Sequence, residues 1–122
     1  MILVDASVWI DHFRNRSDAL LDLLGSEQVL CHPFVRGEVA LGNLRSRWST
    51  LLHLSELPAA RVASDKDVMA LVENRHLHGR GIGYVDAHLL AATLLTPDAS
   101  LWSRDRRLMT IAGELGIAAP IG

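Results

Sequence analysis

Residues 1–13, MILVDASVWIDHF, place an apolar run directly before a carboxylate and start a helical pattern directly after it. Ile2–Val4 is short and continuously apolar, which is typical of a strand buried on both faces of a sheet. Apolar residues then recur at helical spacing up to Phe13, and Ser7 is a favourable residue to cap that helix. The stretch therefore predicts a strand followed by a helix, with Asp5 at the end of the strand.

The same order of strand and helix returns twice along the chain. QVLCH at residues 28–32 predicts a strand, and Pro33 suits the first position of a helix that continues to Leu44. SLWS at residues 100–103 predicts another strand, followed by a helix from Asp105 that ends at Gly116. The pattern also predicts a short strand at 61–64 and helices at 18–24, at 47–57, from 65 onward and from 86 to Pro97.

Strands separated by helix-length connections favour right-handed crossovers and a parallel sheet covered by helices on both faces. We therefore expect an α/β fold, a three-layer α/β/α domain with a central, mostly parallel sheet. The chain has 122 residues, of which 49% are hydrophobic, and can close one core of ordinary size. Residues 1–122 are thus expected to form a single domain.

Composition and charge narrow the class of function. Cys31 is the only cysteine, which excludes an intrachain disulfide and a cysteine-based zinc site and favours a reducing compartment. No basic leader precedes Asp5, which interrupts the apolar run too early for a signal peptide or membrane span, so we expect a cytoplasmic protein. The formal net charge of −2 argues against a generic nucleic-acid binder, yet eleven of the twelve basic residues are arginines, which suit phosphate.

Four acids from distant segments are expected to meet at one edge of the sheet. Asp5 and Asp105 follow the first and last strands, Glu38 lies in the helix after the second strand, and Asp86 lies in the first turn of its helix. In parallel α/β sheets, ligands bind beyond the carboxyl ends of the strands. Two carboxylates about 4 Å apart repel by roughly 4 kcal/mol at an effective dielectric of about 20, so such a pocket must bind protons or a cation.

A hard divalent ion would resolve this repulsion. Mg²⁺ and Mn²⁺ prefer carboxylate oxygens and retain waters. A retained water that is polarised by the ion is a nucleophile suited to phosphorus, and the ion also neutralises charge on the phosphoryl oxygens. The four acids therefore indicate hydrolysis of a phosphodiester.

Taken singly, each acid also has a purely structural interpretation. Asp5, Asp86 and Asp105 all lie at predicted helix starts, where a carboxylate can cap the helix or interact with its dipole. Glu38 lies beside the apolar stripe of its helix and could form an ion pair with a nearby arginine. Only convergence in space distinguishes a site from four unrelated acids.

Four motifs carry a resemblance to a known family. They are ILVDAS at 2–7, PFVRGE at 33–38, GIGYVDAHLLAA at 81–92 and LWSRDRRL at 101–108. With these motifs in this order, and over essentially its full length, the chain resembles the PIN-domain ribonucleases, and specifically the VapC-type toxins of bacterial toxin–antitoxin pairs. Any one motif is weakly specific, whereas the four together in one small domain are strongly specific.

The resemblance implies a toxic endoribonuclease that depends on Mg²⁺ or Mn²⁺. It implies that the four acids bind the metal ion, with Asp5 and Asp86 in contact first, and Glu38 and Asp105 contributing directly or through water. These four residues would form the acidic catalytic pocket.

Two serines and several partners also follow from the resemblance. Ser7 and Ser103 match hydroxyl positions of the family and would orient the carboxylates or a water. The substrate would be RNA, usually a structured RNA and often a transfer RNA. The family also implies a homodimer and a cognate VapB-type antitoxin, whose tail lies along a groove and can place a basic side chain in the acidic pocket.

Two other functions compete with this prediction. A phosphatase of the haloacid-dehalogenase type also places a nucleophilic Asp, here Asp5, after a hydrophobic strand, but it requires a second Asp where this chain has Ser7. A non-catalytic module would use the same acids to cap helices and to bind a basic peptide. Cleavage of RNA that requires both a divalent ion and Asp5 distinguishes the nuclease from both alternatives.

Three residues outside the predicted site have open roles. Arg80, in the segment HGRGIG, could contact RNA phosphate or carry a solvated loop charge, and the arginines of SRDRRL are better candidates for the RNA backbone. His88 faces a different side of its helix from the nearby acid and is left outside the site. Core packing is the default for all three tryptophans, and Trp48 is the one most readily placed at an antitoxin or dimer contact.

Overall fold

The computed structural model describes residues 1–121, which form seven helices and a three-stranded sheet. The strands are β1 (Ile2–Val4), β2 (Val29–Leu30) and β3 (Ser100–Trp102). The helices are α1 (Ala6–Arg14), α2 (Asp18–Gly25), α3 (Pro33–Ala40), α4 (Arg47–Glu56), α5 (Asp65–Asn74), α6 (Tyr84–Leu95) and α7 (Arg106–Glu114). The predicted α/β class is confirmed.

The sheet is parallel in all its described strand pairs, and its order is β2-β1-β3. Leu3 and Val4 point to opposite faces of the sheet, and both are 0% exposed, so the surrounding helices cover both faces. Val4 lies opposite Trp102 in the last residue pair of β1 and β3. The carboxyl ends of these two strands are therefore side by side, and whatever follows them in the chain is brought together.

Helix α6 runs through the core. Residues 87–93 of this helix are all buried, among them Leu89 and Leu90 at 0% exposure. A helix that is apolar on all sides must be covered on all sides. No helix among residues 1–121 is long and apolar enough to cross a membrane.

The start of α1 differs from the prediction. The helix begins at Ala6, so Asp5 occupies the N-cap position and Ser7 lies within the first turn. Ser7 donates its hydroxyl proton back to the carboxylate of Asp5 and is not the cap of this helix. The prediction that Ser7 caps α1 was wrong, because only Asp5 separates the strand from the helix and therefore takes the N-cap position.

The predicted strand at residues 61–64 was also wrong. The N–H of Arg61 donates to the hydroxyl of Thr96 at 2.9 Å, and the segment ends as the N-cap of α5. The side chain of Thr96 therefore takes a backbone N–H that a hydrogen-bonded strand pair would need. Next to β2, a parallel bridge joins Cys31 to Ala59 instead.

Helix α3 begins at Pro33 as predicted but ends at Ala40, before the predicted end at Leu44. Leu41 is the C-cap, and its N–H donates to the carbonyl of Gly37 at 3.1 Å. A glycine and an asparagine follow at positions 42 and 43. Both residue types are poor helix formers, which explains why the apolar spacing beyond them does not extend the helix.

We expect Leu89→Ala to lower the free energy of unfolding by about 2 to 5 kcal/mol, because it leaves a cavity where the side chain is fully buried. Leu94→Ala in the same helix is the matched control, because Leu94 is 42% exposed. Urea unfolding followed by circular dichroism measures both. Equal losses for the two variants would contradict the placement of α6 in the core.

Candidate active site

Asp5 lies at the carboxyl end of β1, with its side chain only 7% exposed. Although it occupies the N-cap position of α1, its side chain makes no capping hydrogen bond. Its Oδ2 accepts instead from the hydroxyls of Ser7 at 2.7 Å and Ser103 at 2.8 Å. The structural interpretation of Asp5 as a helix cap is therefore wrong, and both predicted serines contact it.

The two serines link Asp5 to the backbone after β3. Each hydroxyl has one proton, which it donates to Asp5. Ser7 Oγ also accepts the N–H of Arg104, and Ser103 Oγ accepts the N–H of Asp105, both at 3.0 Å. The two hydroxyl oxygens lie 3.2 Å apart but have no proton left to share. Two hydroxyl donors therefore hold Oδ2 of Asp5 in place.

Asp86 is the third residue of α6, and one of its oxygens has a structural role. Its Oδ2 accepts the backbone N–H of Gly83 at 2.9 Å, which confirms the interpretation as a helix N-terminal acid. Burial raises the pKa of Asp86, the Gly83 hydrogen bond opposes that shift, and the charges of Asp5 and Asp105 raise the pKa further. Asp86 therefore caps its helix, and its pKa also responds to the charges of two other site acids.

Asp105 is the N-cap of α7. Its Oδ1 accepts the N–H groups of Arg107 at 2.9 Å and Leu108 at 3.2 Å, so the capping interpretation is confirmed. The cap leaves the carboxylate exposed and charged, and that charge contributes to the raised pKa of Asp86. Capping thus holds Asp105 at the rim of the acidic group.

Glu38 lies on the outer side of α3 with an exposed side chain. Within residues 1–121 it forms neither the ion pair with arginine that its structural interpretation required nor any other salt bridge. Burial of part of the side chain raises the pKa of Glu38, and the charges of Asp5 and Asp86 raise it further. Glu38 is therefore an unpaired acid that faces the same cluster.

The four acids form one electrostatic group, although they are not packed into a cage. Among residues 1–121, no three His, Cys, Asp or Glu side chains lie close enough together to hold a metal ion between them. In the hydrogen bonds of the same residues, Oδ1 of Asp5 and Oδ1 of Asp86 are not used. An open set of oxygen donors fits a hard divalent ion that retains waters. It does not fit an ion that needs a closed protein shell.

Two buried histidines support the elements that present the acids, and the sequence reasoning missed this role. His32 is fully buried, and its Nδ1 accepts the N–H of Phe34 at the start of α3. Burial lowers the pKa of His32 to about 4, helped by the charges of His88 and Arg36. The position of His32 directly before Pro33 was the available signal, since the residue before a helical proline is the N-cap.

His88 lies outside the acidic group, as predicted. It is 2% exposed, and its Nε2 lies 3.2 Å from Oδ1 of Asp65. The rings of Phe34 and Tyr84 contact it at centroid distances of 4.8 and 4.7 Å. The contacts join the N-terminal ends of α3, α5 and α6.

The structure also shows the contacts and the exposure of the arginines and tryptophans whose roles the sequence left open. Arg80 forms a two-pronged ion pair with Glu114, so it is not a solvated loop charge. Arg104 forms an ion pair with Asp11 at 3.2 Å. Trp48 is 77% exposed, so the expectation of core packing was wrong for it, whereas the other two tryptophans are buried.

Comparisons with known proteins agree with this architecture. The family model described as PIN domain matches residues 2–114, so the chain belongs to the PIN-domain family. The curated relatives include Ribonuclease VapC32 of Mycobacterium tuberculosis, in strain CDC 1551 / Oshkosh and strain ATCC 25618 / H37Rv. Each is 45% identical over 118 residues, which is 97% of this chain and 95% of the relative. The resemblance to VapC-type ribonucleases is confirmed, and the phosphatase alternative has no support.

We expect Glu38→Gln to raise the melting temperature at neutral pH by about 1 to 3 °C in the absence of divalent ions, a small effect because the side chain is exposed. A folded pKa above the unfolded one means that the native state loses stability as pH rises through the folded pKa. The gain should therefore disappear at pH below about 4, where both states bind the proton.

Thermal unfolding of wild type and Glu38→Gln at both pH values, with and without Mg²⁺, measures this effect. The titration of His32 cancels in the difference because both proteins contain it. Mg²⁺ should stabilise the wild type more than the variant. A variant that is less stable than the wild type at neutral pH without Mg²⁺ would show that Glu38 is not repelled by its neighbours.

Proposed function

We propose that the acidic group is the active site of a divalent-metal-dependent endoribonuclease that acts as the toxin of a toxin–antitoxin pair. The observation that carries this proposal is the setting of Asp5, a buried carboxylate fixed by Ser7 and Ser103 at the carboxyl edge of a parallel sheet. The shifted pKa values of Glu38 and Asp86 support it, because both shifts arise in part from Asp5. Perturbed acids are characteristic of functional sites.

Asp5 and Asp86 are the residues that would hold the ion. Within residues 1–121 the hydrogen bonds of both carboxylates go to Oδ2, so each carboxylate keeps acceptor capacity for a cation. Glu38 and Asp105 would contribute through water, in agreement with their exposed positions. A bound Mg²⁺ or Mn²⁺ supplies a Lewis acid that activates water and neutralises charge at the phosphodiester.

The residues of the chain have separate roles in this proposal. Ser7 and Ser103 orient Asp5, and the N-cap bonds of Asp105 orient that carboxylate. Glu38 has a raised pKa and no tie to the backbone through its carboxylate among residues 1–121, so it is the acid best suited to accept a proton at its side-chain oxygen. Ser7 and Ser103 carry no free proton and serve only to orient.

We also propose RNA as the substrate, with a VapB-type antitoxin and a second copy of the chain as partners, in the cytoplasm. The relatives are named ribonucleases of the VapC type, which supports both RNA and an antitoxin. Arg106 and Arg107 are exposed at the start of α7 beside Asp105, where they suit phosphate. Leu41 and Trp48 are 89% and 77% exposed, and large exposed apolar groups of this kind mark surfaces that a partner covers.

We expect Asp5→Asn to reduce RNA cleavage at least about a hundredfold, because it removes a charge from the metal site. The amide oxygen can still accept from Ser7 and Ser103, so the fold should remain. Asp22→Asn, at an exposed position of α2, is the matched control and should retain activity. Cleavage is measured on purified protein with Mg²⁺ or Mn²⁺ and with a chelator.

Sequencing of RNA ends after induction of the wild type, Asp5→Asn and Asp22→Asn tests activity and identifies the target together. Ends that appear with the wild type and Asp22→Asn but not with Asp5→Asn are the cleavage products. Cleavage that persists with chelator, or in purified Asp5→Asn, is incompatible with the proposed metal site. Binding of a basic peptide with no cleavage of RNA under any of these conditions would favour a non-catalytic module.

A further inference from the structure

The loop before α6 forms an ion pair with the C-terminal end of α7. We call residues 79–83 the glycine loop. Nη1 and Nη2 of Arg80 donate to Oε1 and Oε2 of Glu114 at 2.7 and 2.6 Å, and Glu114 is the last residue of α7. Paired bonds between a guanidinium and a carboxylate fix orientation as well as distance. The contact spans 34 positions in the sequence.

The same loop also passes close to the side chain of Arg107, near the start of α7. Gly81 has a φ of +85°, and a Cβ added there would lie 2.7 Å from Cδ and 3.1 Å from Cζ of Arg107. The positive φ favours glycine at this position. The N–H of Arg107 donates to Asp105, so the residue that covers the loop also belongs to the cap of α7.

The glycine loop ends on a site acid. Gly83 N–H donates to Oδ2 of Asp86 at 2.9 Å, and Gly83 is the N-cap residue of α6. The loop therefore has Asp86 at one end and an ion pair to the last residue of α7, the helix whose N-cap is Asp105. Asp86 and Asp105 come from separate helices, and the loop is a direct physical link between those helices.

We propose that Arg80 is a positioning residue whose ion pair with Glu114 sets the separation of Asp86 from Asp105 and thereby the affinity of the site for a divalent ion. The inference rests on the proposed metal-dependent function. Among residues 1–121 no three His, Cys, Asp or Glu side chains lie close enough together to hold an ion by themselves, so ion affinity would depend on how far apart the helices place Asp86 and Asp105. Loss of the pair frees the loop from the end of α7 and leaves Asp86 less well placed.

A role for Arg80 as a direct RNA contact competes with this assignment. Both terminal nitrogens of Arg80 already bind Glu114, so an RNA phosphate would have to displace that carboxylate. The two roles differ in what they change. A positioning role alters ion affinity without RNA, whereas an RNA contact alters only the KM for RNA.

Mn²⁺ binding to the full chain without RNA, measured by electron paramagnetic resonance, tests the proposal. We expect Arg80→Ala and Glu114→Ala each to weaken Mn²⁺ binding about threefold, with Arg80→Lys in between, as suits an ion pair at the surface. The swapped protein Arg80→Glu with Glu114→Arg should regain wild-type affinity. Arg16→Ala is the matched control, because Arg16 pairs with Asp18 at 3.3 Å in a contact that involves no site acid.

The signs of the effects separate positioning from simple charge. Removal of a positive charge near an acidic site strengthens cation binding, whereas removal of a negative charge weakens it. Positioning predicts weaker binding in both single variants and recovery in the swap. Opposite shifts in the two variants, unchanged affinity in both, or a folded swap that stays weak would each overturn the proposal.

Two further measurements complete the test. RNA cleavage by Arg80→Ala should recover at high Mn²⁺ concentration with an unchanged KM for RNA, and a raised KM with normal Mn²⁺ affinity would instead assign Arg80 to the RNA. Asp5→Asn separates a failure of the proposed metal site from a failure of the role proposed for Arg80. If wild type and Asp5→Asn bind Mn²⁺ equally, the proposed metal site is wrong and the inference falls with it; if only Asp5→Asn binds more weakly, the inference alone is wrong.

Discussion

Repulsion between carboxylates at the carboxyl edge of the sheet is the constraint on which the rest of this site depends. None of the four site acids forms an ion pair with a basic side chain in the part of the chain that the structure describes. Asp5, Asp86 and Asp105 are held by hydroxyl and backbone N–H donors instead. Such donors orient a carboxylate without cancelling its full charge, so the negative potential that a cation requires is preserved.

The structural and the functional interpretations of the helix-terminal acids are therefore not alternatives. Asp105 caps α7, and Asp86 binds the N–H of the residue that starts α6. Helix N-termini favour negative charge, so each helix stabilises the acid that it presents. Burial and the neighbouring charges nonetheless raise the pKa of Asp86, which shows that these helix ends offset the repulsion only in part. In the proposed metal site, a divalent ion would supply the remaining positive charge.

Local patterns predicted the α/β class and most of the helices and strands, and they also indicated the four acids, whose role in a metal site stays a prediction. An apolar run that ends on Asp5 and an acid in the first turn of α6 are visible without a structure. The local pattern indicated only a helix cap for Ser7, and its contact with Asp5 was expected from the family resemblance alone, since its hydroxyl bonds also join it to a segment near residue 103. The strand expected at 61–64 failed for a similar reason, because the Thr96 side chain from another helix takes a backbone donor there. Contacts between distant segments carry no local signal.

Two different parts of the fold determine the positions of the acids in this site. Asp5 is buried and fixed by the register of β1 against β3, which the core holds in place. Glu38 and Asp105 are exposed, and these two acids together with Asp86 are carried by helices whose mutual placement depends on loops. A change in the core would thus unfold the protein before it moved Asp5, whereas a change in a loop can alter the spacing of the other acids at little cost in stability. The sheet therefore positions Asp5, and the loops set the spacing of the other three acids.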